Sequence, residues 1–210
     1  MRIPGVARCE SALQPLLPAL LVIAFAFAVA SAAPKPAPIG PLLQARVIPD
    51  VIDEFRPSAE VAVRYGGTQV VDGHDIRPSI AAKPPDVRIR GAGCGSSGDL
   101  YALVMSDPDA PSPSNPSKRE WLHWIVVDVP GGSDITKGKE LVPYAGPTPP
   151  IGVHRYVFAI FKQKGTLQGI TTPSSRASFK TRAFAAEHGL GLPVAALYFN
   201  ATKEPASTNY

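Results

Sequence analysis

Apolar positions along the chain fall into short runs that predict β-strands separated by turns. The runs at 100–105 and 119–129 are almost continuously apolar, which is typical of strands buried on both faces. Residues 60–65 alternate polar and apolar side chains, which indicates a strand with one solvent-facing side. Further strands are predicted at 87–89, 152–161 and 192–199. We therefore expect a mostly β chain.

One helix is predicted near the C-terminal end, over residues 179–188. Ser178 is a suitable N-cap, and Gly189 is a suitable C-terminal stop. Apolar residues recur between them at helical spacing, at Phe179, Ala183 and Ala186. The 24 prolines among 210 residues favour many turns and few other helices.

Two carboxylates follow the apolar run 100–105 on a stiff turn. Pro108 fixes its own φ and holds the residue before it extended, so Asp107 and Asp109 lie on a rigid ribbon. Such rigidity suits a binding site, which needs its polar groups held in place. A plain Asp/Pro turn without function is the alternative interpretation.

Two histidines inside apolar strands favour the binding site over the plain turn. His123 lies within the run 119–129, and His154 shares a strand face with Tyr156 because side chains alternate along a strand. A single histidine in such a strand is more often a core residue. Two of them, near an acidic turn and a Pro/Gly-rich loop at 144–152, predict a polar pocket at the strand ends.

Three motifs resemble the signatures of the phosphatidylethanolamine-binding protein family, in particular its plant, florigen-related members. They are D-P-D-A-P-S-P-S-N-P at 107–116, R-E-W-L-H-W at 119–124 and G-V-H-R-Y at 152–156. The segments 173–177 and 191–204 are similar to the MOTHER OF FT AND TFL branch of that group. The resemblance runs in order from about residue 47 to residue 203.

This resemblance implies antiparallel β-sheets and a shallow anion site, and it does not imply catalysis. We expect no cofactor and no metal. The implied ligand is a phosphate-bearing molecule or a phospholipid head group. The implied function is a signalling regulator of germination and flowering that acts with 14-3-3 proteins and transcription factors. The ligand-binding residues that it implies are Asp107, Asp109, His123, His154 and Tyr156.

The chain departs from the florigen pattern at several positions. Gly98, Lys137 and Thr166 stand where florigens carry arginine, phenylalanine and arginine for 14-3-3 contact. Only Pro130 agrees, which argues against a 14-3-3 partner. Trp121 stands where florigens carry tyrosine and floral repressors histidine, so it is a candidate specificity residue. Packing at the entrance of the strand is the alternative role for Trp121.

An enzyme is the alternative from another functional class. Two carboxylates and two histidines suit a hydrolase or a metal-dependent enzyme. However, their spacing matches no H-E-x-x-H or comparable ligand pattern, and no serine or cysteine is tied to a base in the sequence. Protease inhibition by the domain surface is a further alternative, for which no residue provides a distinguishing mark.

The net charge of +4 is spread along the chain without a long run of lysine or arginine. Direct nucleic-acid binding therefore has little support. Cys9 and Cys94 are the two cysteines. If the N-terminal segment is removed, no intramolecular disulfide can form, so the cysteines do not argue for an oxidising compartment.

The N-terminal 33 residues have the pattern of a secretory signal. Arg2 and Arg8 precede an apolar run at 16–29, which is followed by small residues at a cleavage site. A membrane anchor and a start codon wrongly assigned upstream of Leu42 are the other interpretations. We expect secretion if the signal is real, and otherwise a cytoplasmic and nuclear protein. The predicted organisation is a signal, a Pro-rich linker, a domain and a polar tail at 1–33, 34–46, 47–203 and 204–210.

Overall fold

Two antiparallel β-sheets make up most of the fold in the computed structural model, which describes residues 38–91 and 98–205. The predictions for the signal segment 1–33 and for Cys94 lie outside these residues, as does most of the polar tail. No helix in the described ranges is long and apolar enough to cross a membrane.

The described residues form eight strands, three short α-helices and one 3₁₀ turn. The strands are β1 (Ala59–Tyr65), β2 (Thr68–Gln69), β3 (Asp86–Gly91), β4 (Leu100–Asp107), β5 (Trp121–Pro130), β6 (Lys139–Val142), β7 (His154–Gln163) and β8 (Ala195–Ala201). The helices are α1 (Gly40–Gln44), α2 (Val47–Asp50) and α3 (Thr181–Glu187), and the 3₁₀ turn spans Ile135–Lys137.

The larger sheet has the strand order β6-β5-β4-β7-β8, and the smaller sheet has the order β2-β1-β3. Neighbouring strands are antiparallel, which confirms the predicted fold class. Strand β4 is central, between β5 and β7. Asp107 at the end of β4 pairs with Trp121, and Ser106 pairs with Val157. This register brings the end of β4 beside the starts of β5 and β7.

Both faces of the larger sheet are buried. Tyr101, Leu103 and Met105 of β4 lie in a core cluster shared with the smaller sheet. Ala102 and Val104 point the other way, into a cluster shared with the three helices. Because successive side chains of a strand alternate between faces, a strand buried on both sides has apolar residues throughout. The continuous run 100–105 has this physical cause.

The C-terminal helix is shorter than predicted, and a different face of it is buried. Ser178 is not its N-cap, since it has a φ of 60°, and the helix begins only at Thr181. Phe179 lies in an extended segment whose backbone exchanges hydrogen bonds of 2.9 and 3.0 Å with Glu120. The buried helical residues are Thr181, Phe184 and Ala185 instead of the predicted Ala183 and Ala186. This tertiary pairing with Glu120 overrides the local helical pattern.

Other element boundaries also differ from the predictions. Helix α1 lies inside the segment 34–46 that was assigned to a linker, and its Leu42 is only 1% exposed. The last strand begins at Ala195 instead of residue 192, since Leu192 is 56% exposed. The strand β6 was not predicted, because it is a four-residue edge strand with little apolar character.

Candidate ligand-binding site

A pocket of about 160 Å³ lies where β4 ends and where β5 and β7 begin. We call it the strand-end pocket. Its lining includes seven polar or aromatic side chains: Asp107, Lys118, Trp121, His123, Thr148, His154 and Tyr156. The structure therefore brings together four of the five predicted ligand-binding residues and the predicted specificity residue.

Asp107 and His154 form a buried ion pair in this pocket. Oδ2 of Asp107 lies 2.7 Å from Nδ1 of His154, and Nε2 of the same ring lies 3.1 Å from the carbonyl oxygen of Ile151. Both ring nitrogens face acceptors, which favours the doubly protonated imidazolium. Burial alone would lower the pKa of His154, but the hydrogen bond and charge of Asp107 raise it above its usual value.

Asp109 was predicted to bind ligand, but its carboxylate does not line the pocket. Oδ2 accepts hydrogen bonds of 2.9 Å from both the backbone N–H and Nε of Arg155, and Oδ1 accepts one of 2.7 Å from Nη2. The side chain of Arg155 continues to Asp50 of α2 through an ion pair of 3.1 Å. Asp109 thus ties the turn to the helical segment through Arg155. Its backbone N–H donates to Oδ1 of Asp107 at 2.7 Å and so orients the ion pair.

His123 lies in surroundings that favour the neutral ring. Its Nδ1 lies 2.6 Å from the carbonyl oxygen of Ala145, so Nδ1 carries a proton and donates it. Burial lowers the pKa of His123 below its usual value, and the acceptor of Ala145 and the charge of Asp107 only partly oppose this. The neutral ring therefore has an unprotonated Nε2, which is a hydrogen-bond acceptor.

Tyr156 supplies a hydroxyl donor next to both histidines. Its ring stacks on Phe199 at 5.2 Å and contacts the edge of His123 at 5.1 Å. Burial and the charge of Asp107 raise the pKa of the Tyr156 phenol, so it remains protonated. The aromatic contacts fix the ring, while the hydroxyl can still donate to a ligand.

Lys118 is a pocket residue that the sequence analysis missed. Its Nζ lies 5.6 Å from the ring centroid of Trp121, within the range of a cation–π contact. Lys118 lies three residues before Trp121 in an exposed loop, where no periodicity marks it. The sequence did hold one indication of its role, because Lys118 and Trp121 lie close together within the motif region 107–124. Trp121 itself is half-buried, which is compatible with both a packing role and a contact with ligand.

The Pro/Gly-rich loop at 144–152 forms a wall of the pocket that leads to His154. It makes a close contact with Pro113 at Gly152. This residue has a φ of +85°, and a Cβ atom added there would lie 2.9 Å from Cδ of Pro113. The Pro/Gly-rich loop at 144–152 thus packs directly on the proline-rich turn. Glycine is required by both the backbone conformation and the lack of space.

We expect Gly152→Ala to lower the free energy of unfolding by about 1–3 kcal/mol, because it strains the backbone and displaces Pro113. Urea unfolding followed by circular dichroism measures this change. Gly165→Ala is the matched control, since a Cβ at Gly165 meets nothing within 4 Å. Equal stability of the two variants would mean that the wall yields without cost.

The described residues contain no group of three or more His, Cys, Asp or Glu side chains placed to hold a metal ion. The strand-end pocket instead presents a phenol hydroxyl and a lysine ammonium as donors and one imidazole nitrogen as acceptor. The imidazolium of His154 adds a positive charge, but its two N–H groups already face Asp107 and the carbonyl oxygen of Ile151. Such a set suits a small oxyanion, since the ammonium and the hydroxyl can both donate to its oxygens.

Comparisons with known proteins agree with this architecture. Residues 52–199 match the family described as Phosphatidylethanolamine-binding protein. The Oryza sativa subsp. japonica Protein MOTHER of FT and TFL1 homolog 2 is 50% identical over 171 residues, covering 80% of this chain and 96% of that protein. The Arabidopsis thaliana Protein FLOWERING LOCUS T is 46% identical over 164 residues, covering 78% and 91%. Carboxypeptidase Y inhibitor, complexed with the cognate proteinase, has a TM-score of 0.70 at 27% identity, covering 79% and 95%.

Proposed function

This chain belongs to the phosphatidylethanolamine-binding protein family, and we propose that it is a signalling regulator that binds a phosphate group in the strand-end pocket and catalyses no reaction. The observation that carries the proposal is the ion pair of Asp107 with His154 beside the hydroxyl of Tyr156. This arrangement keeps a positive charge and a phenol donor in one buried place. The two N–H groups of the imidazolium already face Asp107 and Ile151, so it would attract phosphate by its charge, while the phenol would donate to a phosphate oxygen.

The hydrogen bonds of the two histidines favour binding over hydrolysis. Within the described residues, their ring nitrogens contact only Asp107 and the carbonyl oxygens of Ala145 and Ile151. A nucleophilic enzyme would need a serine, threonine or cysteine in hydrogen-bond contact with the base. No such pair is formed here by the residues that the structure describes.

We assign the regulation to flowering and seed germination. The relatives at about half identity include one named FLOWERING LOCUS T and one named MOTHER of FT and TFL1 homolog 2. The match to this chain covers 96% and 91% of the length of these two relatives, so the similarity includes the pocket region. The ligand would then act as a signal or as a membrane tether for the regulator.

Phosphate at about 100 times its Kd should stabilise the fold by about 2.7 kcal/mol at pH 6. For a domain of this size, this corresponds to a rise in Tm of about 5–10 °C in differential scanning fluorimetry. The rise should shrink as the pH passes above the raised pKa of His154, because the imidazole then loses the charge that attracts the anion. The hydrogen bond and charge of Asp107, the carbonyl of Ile151 and the charge of Asp109 raise that pKa, while burial opposes them, and the ring of Tyr156 stacks on the imidazole.

The double variant His123→Ala, His154→Ala should abolish the rise in Tm. Tyr156→Phe removes only a hydroxyl, keeps the ring packing, and should weaken phosphate binding by about tenfold. The exposed His74 provides a control, since His74→Ala should change nothing. An equal rise in the wild type and the double variant, or an undiminished rise at pH 8.5, would refute the assignment of the anion to this pocket.

A further inference from the structure

A groove of about 390 Å³ lies apart from the strand-end pocket, beside the starts of β1 and β8. We call it the edge groove. Its apolar lining includes Leu42 of α1 and Leu197 of β8, and its charged lining consists of Glu60, Arg88 and Arg90. It shares no lining residue with the strand-end pocket. The chemistry of the edge groove is therefore independent of the phosphate site.

The edge of β1 that faces this groove is open at Val61. The residues two positions before and after it use the same edge. The N–H of Ala59 donates to the carbonyl oxygen of Val194 at 3.1 Å, and the carbonyl oxygen of Val63 accepts from the N–H of Val70 at 2.9 Å. Because alternate residues of a strand direct their backbone groups to the same edge, the N–H and C=O of Val61 point there too. Strand β2 pairs only with the last two residues of β1, so no described strand lies beside Val61.

Strand β8 has a similar opening at Ala196. This strand is the last one of the larger sheet and pairs only with β7. On the side away from β7, the N–H of Tyr198 donates to Oδ1 of Asp72 and the N–H of Asn200 donates to the carbonyl oxygen of His74, both at 2.9 Å. By the same alternation, the backbone groups of Ala196 face that side, where no described strand pairs with them. Both walls of the edge groove thus offer backbone groups that can bond with an added strand.

Two arginines give the edge groove a positive charge. Arg88 and Arg90 of β3 pair in register with Ala62 and Glu60 of β1, and all four residues line the groove. Both arginines are exposed, and neither forms an ion pair with a carboxylate of the described residues. Glu60 is the single carboxylate of the lining, so one positive charge is left over. An acidic side chain of a bound molecule would offset this charge.

We propose that the edge groove binds an extended peptide segment of a partner protein in which apolar and acidic residues alternate. The segment adds to β1 as a new strand, with its main chain bonded to the N–H and C=O of Val61. Because side chains alternate along a strand, one set faces the core side of the small sheet and contacts Leu197. The other set faces the outer side, where Arg88 and Arg90 lie. The protein thus has a docking site for a partner chain that leaves the strand-end pocket free.

Isothermal titration calorimetry of the full chain with synthetic peptides tests this proposal. The probe is acetyl-Thr-Val-Glu-Val-Glu-Thr-amide, and it should bind about tenfold more tightly than the same peptide with lysine in place of both glutamates. N-methylation of both valines removes N–H groups that a new strand would donate to β1, and it should also weaken binding about tenfold. No binding of the acidic peptide at about 1 mM, or equal binding of the acidic and lysine peptides, overturns the proposal.

Two variants separate the backbone contact from the charge contact. Val61→Pro removes the N–H at the open edge, where proline is tolerated, and should weaken the acidic peptide at least about tenfold. The double variant Arg88→Gln, Arg90→Gln should weaken it about tenfold and remove the preference over the lysine peptide. Arg64→Gln is the matched control, because Arg64 is an exposed arginine of β1 outside the lining, and it should leave the affinity unchanged.

The arginine variants keep the test decisive if Val61→Pro fails to fold, which circular dichroism would reveal. Unchanged affinity in the double arginine variant overturns the proposal. Analytical ultracentrifugation of the chain without peptide covers a second possible occupant. A dimer that Val61→Pro dissociates, together with no binding of the acidic peptide, would assign the edge groove to a second copy of this chain and overturn the proposed partner.

Discussion

Arg155→Met is expected to lower the free energy of unfolding by about 3–5 kcal/mol, since it leaves the buried carboxylate of Asp109 without its main partner. The guanidinium makes two hydrogen bonds to Asp109, at 2.9 and 2.7 Å, and further bonds to Asp50 and the carbonyl of Ala45. The remaining cation, Arg119, lies 3.6 Å from Asp109 and replaces only part of this contact. Methionine keeps the apolar stem, so the loss reports mainly on charge and hydrogen bonding.

Chemical denaturation with urea measures this loss, with Lys162→Met as the matched control. Lys162 forms a 2.8 Å ion pair with Asp99, but the two side chains are 50% and 29% exposed. An exposed pair of this kind contributes less than about 1 kcal/mol. Similar losses in both variants would show that the Asp109–Arg155 contact is not the tie between the turn and the helical segment.

Most strands of the larger sheet were predictable, because burial on both faces requires nearly continuous runs of apolar residues. Strand β4 is buried on both faces, so nearly every position from residue 100 to 105 must be apolar. The helix was predicted less well. Phe179 fits a helical spacing, but its backbone pairs with Glu120, more than fifty residues earlier in the chain. A pairing of that kind depends on tertiary structure, which local periodicity does not contain.

The site was predictable as a set of residue types and less so as a set of roles. Asp107, His123, His154 and Tyr156 line the pocket as the motifs suggested. Asp109 belongs to the same motif, but whether a carboxylate faces a ligand or an arginine depends on which side of the turn it occupies. The protonation of His123 likewise depends on the carbonyl of Ala145, which only the folded chain brings within 2.6 Å.

Glu120 is a buried carboxylic acid within the motif at 119–124, but the sequence analysis gave it no role. It is 3% exposed, and its two oxygens accept hydrogen bonds from the backbone N–H of Thr181 and from the hydroxyls of Thr181 and Ser106. Burial raises the pKa of Glu120, although these hydrogen bonds lower it in part. The group thus connects the start of β5 with the start of α3 and the end of β4.

Glu120→Ala is expected to cost about 3–5 kcal/mol, because it leaves three donors without their acceptor and opens a cavity. Glu120→Gln should be tolerated, since its carbonyl can accept from the N–H of Thr181 while its NH₂ donates to the two hydroxyls.

The raised pKa of Glu120 means that the folded state holds the proton more tightly than the unfolded state. The wild type therefore loses stability as the pH rises through that pKa, whereas Glu120→Gln does not. The free energies of unfolding of wild type and Glu120→Gln should be measured from pH 4 to pH 8. The wild type should become less stable relative to Glu120→Gln as the pH rises, and parallel curves would refute the proposed proton binding by Glu120.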